Sequence, residues 1–299
     1  MLIIRVMGGL GNQLYQYALY ELLKQQGKQV CLDISHYDIE ESLRDKRTLD
    51  LLLFENLSFE VCSLKEKYKY LDERNNFFDL VRRKLRIRYC YVTEEREQYM
   101  SEVFDMTEGY LQGYWNSERY SGTIEHLLQN KLIFPQPVDE RNILYAKKMR
   151  EENSVSVHIR RGDYLEGINV EIFGGICTQQ YYDKAVEIVQ QRIEHPVYYL
   201  FCEDCEYIQQ YASNENVHIV DWNHGRDSIF DMYLMTMCRG NICANSTFSI
   251  WGAKLNQRVD QVRIRPEKLD NQVIQDQKEI KALMDNQWVL VDKMGKVTE

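Results

Sequence analysis

The chain has 299 residues, 44% hydrophobic and 28% charged, a balance that argues against a disordered or fibrous protein and suggests two globular domains. Lysine plus arginine (37) against aspartate plus glutamate (46) gives a net charge of −9. That argues against nucleic acid as a partner, which needs a net basic surface, so any anionic ligand requires a locally basic pocket.

Leu2 to Val6 reads as a buried strand, and Gly8, Gly9 and Gly11 as a turn. Leu14, Ala18 and Leu22 then repeat at helical spacing up to a stop at Gly27, before a second strand from Val30 to Leu32. This β–turn–α–β opening predicts an α/β protein with a parallel sheet. The N-terminus shows neither the basic start nor the ~7–15-residue apolar region of a secretion signal. No apolar run approaches the ~20 residues that span a bilayer. The eight cysteines sit mostly in apolar stretches, as in Val30-Cys31-Leu32, where thiols act as small hydrophobes, and the expected setting is a reduced cytoplasm.

Residues 64–105 look mostly helical. Within them Arg82, Arg83, Lys84, Arg86 and Arg88 form a basic cluster. The plainer reading is a solvated helix face, and the sharper one is a patch that meets anionic membrane lipid. Pro135 and Pro137 mark the expected boundary between domains 1–137 and 138–299. Strands at 155–159, 197–202, 217–220, 241–244 and 261–264 then alternate with helices from about 178, 228 and 247, giving a second doubly wound domain. The tail from about 272 is read as one helix and a short strand packing back.

Three segments carry chemistry. In His158-Ile159-Arg160-Arg161-Gly162-Asp163-Tyr164 a strand ends in two adjacent arginines. Paired guanidiniums offer forks of donors suited to phosphate oxygens. Their plainer reading is an internal ion pair with Asp163 or Glu166. In Ala244-Asn245-Ser246-Thr247-Phe248-Ser249 hydroxyl residues stand at a strand-to-helix switch, where they could bind an anion, cap the helix through Ser246 or Thr247, or do both. The third segment, Gly8-Gly9-Leu10-Gly11-Asn12-Gln13, fails the dinucleotide fingerprint because Leu14 replaces its last glycine. It remains a turn that could bring Asn12 close to a ligand. Cys202-Glu203-Asp204-Cys205 is a lone C-x-x-C without a second pair, so no metal site is expected.

Together and in this order, these segments resemble the bacterial α-1,2-fucosyltransferases of glycosyltransferase family 11, which also includes the animal blood-group H enzymes. The family shows a Gly-Gly-Leu-Gly-Asn-Gln opening, a His-x-Arg-Arg-Gly-Asp-Tyr motif and an Ala-Asn-Ser-Ser/Thr-Phe-Ser-x-Trp-Gly-Ala motif, matched here at 8–13, 158–164 and 244–253. Gly113-Tyr114-Trp115-Asn116-Ser117-Glu118 is similar to a fourth. The resemblance implies a GT-B fold, two Rossmann-like domains facing a cleft, with GDP-β-L-fucose held by the C-terminal one and the acceptor served by the N-terminal one. It implies inverting, metal-independent transfer to the 2-hydroxyl of a terminal galactose, with no cofactor. The acceptor would be a surface polysaccharide or a lipid-linked glycan at the inner face of the membrane. Gly11, Asn12, His158, Arg160, Arg161, Asp231, Asn245, Ser246, Thr247 and Phe248 become the expected donor-binding set. Asp163 would be the base, with Glu166 as the alternative. Two departures, Ile250-Trp251-Gly252-Ala253-Lys254 for Trp-Trp-Gly-Ala-Trp and Phe173-Gly174-Gly175 for a histidine-glycine, are expected near the cleft and to bear on the acceptor.

Overall fold

The computed structural model describes residues 1–37, 47–71, 81, 90–94, 99–272 and 287–298, with the side chain of Asp163 outside the description. The basic cluster at 82–88 and most of the expected tail helix lie outside the described residues. Two compact units divide the chain, Met1–His126 and Leu127–Glu299.

The first unit holds four parallel strands, β1 (Leu2–Arg5), β2 (Val30–Asp33), β3 (Tyr91–Thr93) and β4 (Gly109–Gln112), in the order β2-β1-β4-β3. The helix Leu10–Gln25 buries Leu14, Ala18 and Leu19. It stops where Gly27, at φ +76°, donates its N–H to the Lys24 carbonyl (2.9 Å), a left-handed closure that favours glycine. The stretch read as mostly helical contains the helix Leu64–Tyr70 but also β3. A three-residue strand is too short to leave a periodic signature.

The second unit holds β5 (Ser154–His158), β6 (Val197–Phe201), β7 (Val217–Val220), β8 (Gly240–Ile242), β9 (Val262–Pro266) and β10 (Trp288–Val291). All are parallel, in the order β10-β9-β8-β5-β6-β7. Counted from β5, this is the Rossmann order, and it reverses direction between β5 and β8. Alternation along β6 separates two apolar layers. Leu200 packs with Val155, Val157 and the helix Gln179–Arg192, whereas Tyr199 and Phe201 meet the helices Glu140–Glu151 and Ile229–Met235. Cover on both faces is why β6, Val-Tyr-Tyr-Leu-Phe, reads as a continuous apolar run.

The second unit begins ahead of the proline pair. In the helix Glu125–Lys131, Gln129 donates to the Lys254 carbonyl (2.7 Å), and its own carbonyl accepts from Gln257 Nε2 (2.8 Å). Those bonds attach the chain to the second unit before it reaches Pro135.

Candidate functional site

Val157 of β5 faces Ile242 of β8 in the ladder. The segments that follow, 159–162 and 243–247, therefore leave the sheet side by side at the reversal, where open α/β sheets take ligands. Two tyrosines in the first turn of the helix Gln179–Arg192 pin both strand ends. The Tyr181 hydroxyl donates to the Cys243 carbonyl (2.5 Å), and that of Tyr182 donates to the His158 carbonyl (3.0 Å). Burial pushes both phenols well above their ordinary range, so both stay protonated donors.

Arg160 donates from Nη1 to Glu203 Oε2 (3.0 Å), and Arg161 donates from Nε to Asp204 Oδ2 (2.9 Å). The guanidinium of Arg160 lies 5.2 Å from the Tyr164 ring centre, and that of Arg161 lies 3.9 Å from the Tyr207 ring centre. Both side chains remain partly exposed, at 26% and 31%. The acids described beside the arginines, Glu203 and Asp204, follow β6. The cause is register: His158 pairs with Phe201, so the residues after β6 land beside those after β5. Asp163 itself lies in the 3-10 turn Gly162–Leu165.

His158 is buried, and its Nδ1 has no hydrogen-bond partner among the described residues. Burial, helped by the Arg160 charge, lowers its imidazole to about 3, so the ring is neutral. The Phe248 ring sits 6.0 Å away. Ser246 occupies the N-cap of the helix Thr247–Lys254, yet its hydroxyl makes no capping bond. The first-turn N–H groups of that helix have no intrahelical acceptor, and no acidic residue stands among them, which leaves a positive helix end. Asn245 acts differently. Its amide donates to the carbonyls of Phe173 (3.0 Å) and Leu269 (3.2 Å), and its backbone carbonyl accepts from Tyr164 (3.1 Å). Its side chain holds loops in place at this site.

Asp231 lies in the helix Ile229–Met235 and accepts from Asn223 Nδ2 (2.7 Å). Asn223 exchanges amide bonds with Asn142 (2.8 and 3.0 Å), which also accepts from Trp222 Nε1 (3.0 Å). Burial raises the Asp231 carboxyl to about 7, against the Asn223 hydrogen bond and with some help from the Asp221 charge. Gly11 and Asn12 belong to the first unit, in the opening turn of the helix Leu10–Gln25, where Gly11 is buried.

One expectation is corrected. Ile250 and Lys254 are 0% and 1% exposed, so that departure from the family pattern is buried and leaves no surface for an acceptor. The whole run from Ser249 to Lys254 is buried. The other departure does reach the site region, because Phe173 stacks on Tyr164 at 4.6 Å. Cys202 and Cys205 are unbonded, and burial lifts the Cys202 thiol to about 11, which suits an inert thiol. Among the described residues, no three His, Cys, Asp or Glu side chains gather as metal ligands. Residues the motif reading missed include Glu203, Asp204, Tyr181 and Tyr182. A signal for the first two was available, since consecutive strands of a βαβ unit tend to pair and bring their following loops together.

The model of glycosyl transferase family 11 matches residues 58–292, a span that includes the segments after β5 and β8 but not the turn at 8–13. An alpha-1,2-colitosyltransferase of Escherichia coli is 31% identical over 265 residues, covering 85% of this chain and 87% of that one. The O-antigen biosynthesis glycosyltransferase WbnK of Escherichia coli is 29% identical over 293 residues, covering 87% and 92%. Among solved structures, a mutant of Arabidopsis thaliana FUT1 in complex with GDP is similar with a TM-score of 0.46 at 13% identity, covering 85% of this chain and 68% of that one. By the family match and by the extent of its likeness to these bacterial relatives, the chain belongs to glycosyl transferase family 11.

Proposed function

We propose that the chain moves L-fucose from GDP-β-L-fucose to the 2-hydroxyl of a terminal galactose, in a surface polysaccharide or a lipid-linked glycan. Family membership and the alpha-1,2 relative support the reaction class. The observation that carries the donor assignment is the pair Arg160 and Arg161 beside the start of the helix Thr247–Lys254, at the β5–β8 reversal. As the acceptor oxygen attacks C1 from the face opposite GDP, the bond from C1 to the phosphate oxygen breaks and a β-linked donor becomes an α-linked product. Charge then grows on the leaving β-phosphate. The two guanidiniums, the Ser246 hydroxyl and the first-turn N–H groups offset it, the work a divalent ion does elsewhere.

Asp231, as a carboxylate, accepts the guanine N–H donors. Asp163 takes the acceptor proton, with Glu166 as the alternative. Asp163→Asn separates their roles: a base loses kcat at unchanged GDP affinity, whereas retained kcat moves the assignment to Glu166. Gly11 and Asn12 complete the donor set, and Asn12→Ala in the same assay tests them. Work on a lipid-linked acceptor would place the protein at the cytoplasmic face of the membrane. No helix among the described residues is long and apolar enough to cross one.

A second donor is favoured by one observation, the 31% identity to a colitosyltransferase. Colitose lacks one ring hydroxyl of fucose, a change remote from the diphosphate. Incubation with GDP-fucose and a panel of galactose-terminated disaccharides, followed by assay of released GDP and of the linkage by NMR, is expected to give an α-1,2-fucosylated product. Turnover with GDP-colitose alone would establish the second donor. A protein stabilised by GDP that releases none from either donor would be a binding module, and the proposal would fail.

A further inference from the structure

The acids beside the two arginines differ in how firmly they are held. Asp204 engages both carboxylate oxygens. Oδ2 accepts from Arg161 Nε, while Oδ1 accepts from the Tyr207 N–H (2.9 Å) as the N-cap of the helix Cys205–Ile208. The Tyr207 ring, from the same helix, lies against the Arg161 guanidinium. The Tyr207 N–H, and after it Arg161, hold the Asp204 carboxyl below its ordinary range. Arg161 is thereby gripped through Nε and one ring face, and no bond to its two terminal nitrogens is described. Those nitrogens form the edge that suits two phosphate oxygens.

Glu203 is more exposed, at 44%, and takes a terminal nitrogen, Nη1 of Arg160. Its other oxygen lies over Gly162, where a Cβ would come 2.1 Å from Oε1. The side chain therefore fills the space directly above the turn that follows the arginines. A diphosphate that approaches Arg160 meets an anion already on the nitrogen it needs.

We propose that Asp204 and Glu203 are positioning residues of opposite kind: Asp204 is a permanent brace that presents Arg161 to the donor diphosphate, and Glu203 is an exchangeable counter-ion that the diphosphate displaces from Arg160. This rests on the reading that the arginines hold the diphosphate. Glu203 keeps Arg160 ordered while the site is empty and leaves when a phosphate takes its place. Returning to Arg160 after transfer, it competes with GDP and so favours product release.

Calorimetric titration of GDP and of guanosine into Asp204→Asn and Glu203→Gln, beside wild type and Arg161→Ala, tests the pair. Asparagine caps helices as well as aspartate, so Asp204→Asn keeps the cap and removes the charge. Asp204→Asn is expected to bind GDP about tenfold more weakly, the scale of a charge-assisted hydrogen bond, with guanosine unchanged. Glu203→Gln is expected to bind GDP severalfold more tightly, again with guanosine unchanged. Equal weakening of both ligands in Asp204→Asn, or wild-type GDP affinity there, would overturn the brace. Unchanged or weaker GDP binding in Glu203→Gln would overturn the counter-ion. Wild-type GDP affinity in Arg161→Ala would sink the diphosphate reading itself, which keeps the two failures apart.

Discussion

The first strand of each unit ends in a tight turn where the strand order reverses, after β1 toward β4 in one and after β5 toward β8 in the other. Neutral groups bond the backbone of the turn after β1, and the Arg47 guanidinium lies beside Gly9. The Gly8 carbonyl accepts from Gln13 Nε2 (3.0 Å) and from the Tyr37 hydroxyl (2.7 Å). Gln16 accepts from the Met7 N–H (3.0 Å) and donates to the Gly113 carbonyl (2.9 Å), which ties the end of β1 to the end of β4. Both glutamines are fully buried. The turn after β5 instead gathers two arginines and two acids, all partly exposed. Buried amides satisfy a backbone; half-exposed charges at a strand end do more than folding asks of them. The same place in a topology is held by buried amides in one unit and gathers partly exposed charges in the other.

Arg161 carries the largest expected effect. Arg161→Ala is expected to lower kcat/KM at least ~10²-fold, because one preorganised donor to a developing charge is worth about 2.7–4 kcal/mol. Arg161→Lys should recover little, since an ammonium lacks the fork. Steady-state kinetics on the folded variants checks both, and near-full activity in the alanine variant would reduce Arg161 to an ion-pair member. The counterpart in the first unit is Gln13→Ala. Its amide also donates to the Thr48 carbonyl (2.9 Å) and accepts from the N–H groups of Asp50 (2.8 Å) and Leu51 (3.1 Å). Leaving such buried groups unpaired should cost about 1–3 kcal/mol of stability, read from denaturant midpoints.

Smaller, and specific to the second unit, is the pH dependence from Asp231. Its carboxyl is raised from 3.8 to about 7, so the folded chain holds a proton that the unfolded chain releases. The resulting stability is complete below about 4 and lost as pH rises through about 7. If the carboxylate accepts guanine donors, GDP binding strengthens over that same rise and releases a proton. Calorimetry in buffers of different ionisation enthalpy measures the release, and Asp231→Asn should abolish it. The smallest expected effect is none at all: chelation by EDTA should leave the rate unchanged. Activity lost to EDTA and restored by magnesium or manganese would overturn the part given to the arginines.

Much of the second unit was legible in the sequence because short strands, β6 the most apolar of them, alternate with longer helical segments such as Gln179–Arg192. The first unit was less so. β3 and β4 are short, and Tyr91 and Thr93 are exposed, so no apolar run announced the former. Arg160, Arg161 and the segment at 244–249 stand out in the sequence, since clustered chemistry is visible in one dimension, and the β5–β8 pairing brings the two segments together. A motif does not show Glu203 and Asp204 as partners of the arginines, because that pairing depends on the register of β5 against β6. Nor does a motif show that Ile250 and Lys254 are buried, which is a property of how one helix is seated.

Titrating GDP into Arg161→Ala and Gln13→Ala side by side tests most directly where the diphosphate sits. Arg161→Ala is expected to lose at least about tenfold in affinity while Gln13→Ala, though less stable, binds as wild type does. Equal losses in the two variants, or full affinity in Arg161→Ala, would contradict the assignment of the diphosphate to the turn after β5.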